Sequence, residues 1–366
     1  MTSLETSPLA RLPILLLAMV SLVVGTLAGL ARMSIDMHSL VQSQAGAHGA
    51  LMIAAFFGTV ISLERAVALH RLWPYLAPVS AAVGGITLLA GSAPWWPPLL
   101  FVVASTLLVM ANGLIFFQQR ALFTFTLCLG ASGWLVGNVV WLSGASIAAA
   151  IPFWMLFLIL TIAGERLELT RVLPPRPLAQ RLFIVILAVT GLAAVTSDIS
   201  PHLGERLLGG GLFGLALWLL RYDIVRKTVR QSGLPRFIAS ALLSGYGWLA
   251  VGALLGLAGA FSIGHPWRDA ALHSIFLGFV FSMVIGHAPI IFPTILRVRM
   301  TYHPFFYLPL AMLHLSLLLR LTANLGSLWE LRQASGIANA AALLAFVLTM
   351  VGTILSGRRH GAPGTP

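Results

Sequence analysis

The stretch from Asp269 to Pro293, DAALHSIFLGFVFSMVIGHAPIIFP, constrains this chain more than any other. It is long enough to cross the hydrocarbon core of a bilayer and carries no charge after Asp269. It nevertheless holds two histidines, His273 and His287. An imidazole turned toward lipid leaves its hydrogen-bonding groups unused, so both rings are expected to face the inside of a helix bundle and to find partners there. On a straight α-helix the two stand on one face, separated by roughly 21 Å along the axis, one near each end of the span.

The rest of the chain has the same character. Only 9% of the 366 residues are charged and 58% are hydrophobic, where soluble proteins have about a quarter charged. The fold class is therefore all-α, a polytopic membrane protein, because in lipid each spanning segment must satisfy its own backbone. Apolar windows fall at 12–31, 45–63, 73–91, 96–117, 121–143, 145–164, 182–197, 205–220, 237–262, 270–293, 304–321 and 333–356, about twelve transmembrane helices, of which the seventh and eighth are the shortest. The first window is longer than the core of a signal peptide and reads as a retained helix. The expected organisation is one transmembrane helical domain over residues 1–366, with a disordered tail from Gly361 to Pro366 and a turn at Pro174, Pro175 and Pro177 linking two six-helix halves.

A net charge of +12 would suit nucleic acid, but the cations are spread between apolar spans, and Lys227 is the one lysine. They are topology signals, so no nucleic-acid partner is expected. With an even number of spans, 17 of the 22 Lys and Arg residues fall on the side of the termini, and Arg32, Arg206, Arg268, Arg320 and Arg332 fall on the other. Both termini are expected in the cytoplasm of a bacterial inner membrane. A single cysteine, Cys128, excludes an internal disulfide and a thiolate metal cluster.

This topology gives the histidines depths. His48 and His273 each lie about one turn inside the outer end of a helix running the same way, and His314 lies within about two turns of that layer. His287 belongs to an inner layer, where a partner histidine or the backbone carbonyl freed by Pro289 would engage it. Two histidines at matched depth suit a haem that takes one axial imidazole from each face, with Gly46, Ala47, Gly49 and Ala50 leaving room for the ring. Its propionates would meet Arg268, Arg320 or Arg332. The plainer reading is that each histidine bonds a neighbouring helix. Glu64 with Arg65, and Glu165 with Arg166, read as interfacial ion pairs or as a place of proton uptake, and Asn112 and Asn138 as interhelical hydrogen-bond groups.

Residues 48–52, HGALM, resemble the haem-ligand segment of helix two in subunit I of the haem-copper oxidases. HSIFLGFVFSMVIGH at 273–287, preceded by GYGWLAVGALLGLAG at 245–259, more closely resembles the NnrS family of bacterial membrane proteins, which bind haem and copper and act in the nitric-oxide response. That resemblance implies haem, b-type, with copper also possible, held through His48 and His273, with His314 and His287 as further cofactor-binding candidates. It also implies the lipid bilayer and nitric oxide or another small gaseous ligand as partners. The chain departs from the family where Gly46 and Gly49 flank a single His48, and where GHAPIIFP replaces a polar segment. Windows six and seven contain no histidine, which argues against a binuclear reductase centre. Two alternatives remain: a secondary transporter of two six-helix halves, and a carrier of haem or copper to a reductase.

Overall fold

The computed structural model describes residues 8–174, 176–298, 300 and 302–359. The expected C-terminal tail, Pro175 and Arg299 lie outside the described residues. Helices occupy all twelve apolar windows, and the described residues contain no strand. We number them α1 Pro8–Ala31, α2 Ala45–Leu69, α3 Trp73–Leu89, α4 Trp96–Gln118, α5 Leu122–Leu142, α6 Ile147–Val172, α7 Pro177–Ile199, α8 Pro201–Tyr222, α9 Gly233–Leu257, α10 Arg268–Leu296, α11 Pro304–Leu325 and α12 Trp329–Arg359. All but α3 are long and apolar enough to cross a membrane. The protein is a multi-pass membrane protein.

The short helix is not where the windows placed it. α7 and α8 extend beyond their apolar cores, each opening with a proline in the first helical turn, where no backbone donor is needed. Polar residues such as Arg181 and Glu205 shorten the apolar window without ending the helix. α3 is cut at its far end by Gly91, whose φ of 64° is left-handed and stops the helix.

Two compact units divide the chain, Met1–Glu168 with Thr294–Arg297, and Leu169–Pro293 with Val298–Pro366. The boundary falls just before the proline-rich turn. Within each unit the helices meet through small residues, since lipid supplies no hydrophobic drive for helix association and close approach must come from packing and hydrogen bonds. In the first unit Gly25 and Gly29 of α1 form a small-xxx-small pair against α2. A Cβ on Gly25 would fall 2.9 Å from Met52 Sδ, and one on Gly29 would fall 2.8 Å from His48 Cε1. Gly133 and Gly137 of α5 likewise meet α6, where added Cβ atoms would fall 3.0 Å from the Phe153 carbonyl and 2.5 Å from Trp154 Cδ1.

The same unit is tied by an amide. Asn138 of α5 donates to the Phe101 carbonyl at 2.9 Å and to Ser105 Oγ at 3.1 Å on α4, and accepts from Trp154 Nε1 of α6 at 3.0 Å. Asn112 donates to the Leu127 carbonyl at 3.3 Å. Arg11, expected to mark the cytoplasmic surface, is 1% exposed and donates to the Ile295 carbonyl of the same unit at 3.0 Å. In the second unit Gly245 and Gly252 of α9 admit α10, and Gly209 of α8 brings its backbone against Gly256 and Leu257 of α9.

α2 and α10 are not uniform α-helices. Residues Leu51–Phe57 of α2 and Ser274–Phe281 of α10 are wound as π-helix. Each wide segment begins within three residues of a histidine, His48 in the first unit and His273 in the second.

Candidate functional site

His48 follows a tight 3₁₀ turn, Ala45–Ala47, at the head of α2. Its Nδ1 lies 2.7 Å from the Gly25 carbonyl of α1. A carbonyl oxygen can only accept, so Nδ1 carries the proton and donates. In the neutral ring Nε2 is then the nitrogen without a proton. The arrangement is possible because Gly29 has no side chain where the imidazole lies against α1. The π-helical turns follow at once, and such turns recur at functional sites.

His273 stands at the same place relative to its own π-helix. Its Nδ1 is 2.8 Å from the backbone carbonyl of Asp269 and 3.2 Å from that residue's Oδ1, four residues earlier on α10. Nδ1 is again the donor and Nε2 again lacks the proton. Asp269 is itself gripped from α11 and α12. Arg320 Nη1 reaches both carboxylate oxygens at 3.1 Å, Asn324 Nδ2 donates to Oδ2 at 3.2 Å, and Arg332 Nη2 stands 3.5 Å from Oδ1. Behind it Arg320 Nε donates to Asn339 Oδ1 at 2.9 Å, and Asn339 donates to Ser316 Oγ at 2.6 Å. Arg320 is only 3% exposed, so its charge is compensated inside the unit and it is not waiting for a propionate as the sequence had suggested. Arg268, another propionate candidate, donates through Nε to the Phe261 carbonyl at 3.0 Å.

Of the other two candidate histidines, His314 has the opposite tautomer and His287 the same one. Trp248 Nε1 of α9 donates to His314 Nδ1 at 2.9 Å, which forces the proton onto Nε2, and Nε2 then donates to Ser244 Oγ at 2.8 Å. His314 therefore has the opposite tautomer, with both nitrogens engaged. It fixes Trp248, whose Cβ and Cγ lie where a Cβ on Gly278, inside the π-helix, would fall 2.5 Å away. His287 donates from Nδ1 to the Met283 carbonyl at 2.8 Å. That is its own preceding turn, not the Ile285 carbonyl that Pro289 leaves without a donor. The intervening π-helix also corrects the straight-helix geometry. One extra residue in the wide turn swings His287 by about 100° relative to His273, so the two do not share a face.

In the loops the pattern reverses. His38, His265 and His303 each accept at Nδ1 from the backbone N–H two residues on, a turn-forming contact. At the other end of the first unit, Glu165 is within electrostatic reach of Glu64, Arg65 and Arg166, so the two acid–arginine pairs act on each other. Sequence reasoning missed Asp269 as the partner of His273, although an aspartate four residues before a histidine on one helix was a usable signal.

A family model described as a domain of unknown function, DUF8744, matches residues 11–355. The chain belongs to the DUF8744 family. The match takes in every helix from α1 to α12 and both histidine-bearing π-helices. No curated protein matches the chain.

The donor set of this DUF8744 chain can be tested against a cofactor. Among the described residues no three His, Cys, Asp or Glu side chains gather as a bare ion would require. What is present, in His48 of the first unit and in His273 and His287 of the second, is an imidazole held by its Nδ1 with Nε2 as the basic nitrogen. That fits a group that brings most of its own ligands and asks the protein for axial nitrogens only, as haem does. It does not fit a bare copper ion.

Proposed function

We propose that the protein is a haem-binding membrane protein similar to the NnrS family, acting in the nitric-oxide response or in denitrification. The observation that carries this reading is the tautomer of His48 and His273, each donating from Nδ1 to a backbone carbonyl. A second structural contact on Nδ1 is the usual way a protein orients a ligating imidazole and raises the basicity of the other nitrogen. His48 and His273 would each offer Nε2 to haem iron, while His314, of opposite tautomer, serves the packing of α9. The haem, b-type, supplies the binding and redox chemistry for nitric oxide or another small gaseous species. The residues around it orient the ligands and restrict access. The bacterial inner membrane with both termini in the cytoplasm belongs to the same reading, supported by the arginine distribution.

The division into two compact units favours a second reading, a secondary transporter built from two six-helix halves. Colour separates the two. Protein purified from haem-replete cells is expected to show an intense Soret band, and His48→Ala and His273→Ala each to lose or strongly alter it while remaining inserted. A colourless wild-type protein rejects the haem reading and leaves the transporter.

A further inference from the structure

The carboxylate behind His273 goes beyond orienting a ring. The Asp269 backbone carbonyl, at 2.8 Å, already settles which nitrogen of His273 carries the proton. Asp269 Oδ1, at 3.2 Å from the same Nδ1, is therefore not needed for that purpose. What it adds is a negative charge, partly offset by Arg320 and Arg332, on the side of the imidazole opposite Nε2. A carboxylate four residues earlier on a helix has other rotamers available, and this one is held by contacts from two further helices. Arg320 takes both oxygens at 3.1 Å, Asn324 takes Oδ2 at 3.2 Å, and Arg332 approaches Oδ1 at 3.5 Å. Arg320 is held in turn by Asn339, and Asn339 by Ser316.

We propose that Asp269 is a positioning residue for His273, a fixed anionic partner on Nδ1 that makes Nε2 a stronger electron donor and so sets the reduction potential of the iron it holds. This rests on the reading that His273 is a haem ligand. The buried Arg320 locks the carboxylate in place, and the half-buried Arg332 sets how much of its charge is left to act on the imidazole. A more anionic imidazole favours the ferric over the ferrous state. The charges stand in a setting of low dielectric where they are weakly screened. A purely structural role for Asp269, as an ion-pair anchor between α10 and α11, makes a different forecast. In that case any variant of the cluster loosens the helices, and the potential has no reason to follow the sign of the charge removed.

The test is a redox titration of the purified holoprotein, followed through its visible spectrum, together with haem content per protein. Asp269→Asn is expected to keep haem and raise the midpoint potential, because a negative charge is lost. Arg332→Gln is expected to keep haem and lower it, because a compensating cation is lost while Arg320 still grips the carboxylate. Shifts of the same sign, or no shift in either variant, overturn the proposal. If Asp269→Asn fails to fold, Arg332→Gln decides alone, and an unchanged or raised potential overturns the proposal. A colourless wild type defeats the haem reading itself, whereas a coloured wild type with flat variants defeats only the role given to Asp269.

Discussion

A histidine inside a membrane is defined chemically by what faces its Nδ1. Carbonyls at His48 and His273 push the proton onto Nδ1, and an indole N–H at His314 pushes it onto Nε2. The positions of these residues were legible from hydropathy, since a polar ring in an apolar run stands out. The tautomers were not legible, because the deciding atom at His48 comes from Gly25 of α1 and at His314 from Trp248 of α9. His314→Ala separates the two classes. It is expected to leave any haem spectrum intact yet to destabilise the protein by about 1–3 kcal/mol, because Trp248 Nε1 is left as a buried donor without its acceptor. Thermal unfolding followed by tryptophan fluorescence checks the second part, and loss of the spectrum counts against the first.

At the scale of the helix, the hydropathy pattern gave the existence of all twelve elements but not the winding of two. A π-helical insertion adds a residue without changing mean hydropathy, so no window reveals it. It does change the direction in which every residue beyond it points, by about 100° for each residue added. In α2 the wide segment Leu51–Phe57 lies between His48 and the C-terminal half of the helix, where Trp134 of α5 covers Gly58 closely enough that a Cβ there would fall 2.2 Å from its ring. Removing Ala54 is expected to heal the helix, leave that contact in register and turn His48 away from Gly25. Haem content per protein should then fall at least as far as in His48→Ala, with insertion and expression retained. A deletion variant with normal haem would show that the π-helix has no part in aiming His48.

For the molecule as a whole, composition alone placed the chain in a bilayer, while the boundary between the two compact units falls after Glu168, within α6 and a few residues before the proline-rich turn. What composition missed was the private use of charge. Arg11 and Arg320 are buried and spent on the Ile295 carbonyl and on Asp269, so they are structural as well as topological. Enough exposed cations remain to orient the chain. Reporter fusions after Ser356 and within residues 221–236 are expected on the cytoplasmic side, and a fusion in the turn between α7 and α8 on the opposite side; the same side for all three would mean that α7 and α8 do not both span. The Asn138 amide has a mechanical corollary. Its two N–H groups and its oxygen tie α4, α5 and α6 at one point, and in hydrocarbon no water waits to replace any of those three bonds. A chain drawn out of the lipid by force from one end must break them together, so α4, α5 and α6 yield as a single event rather than as three successive ones.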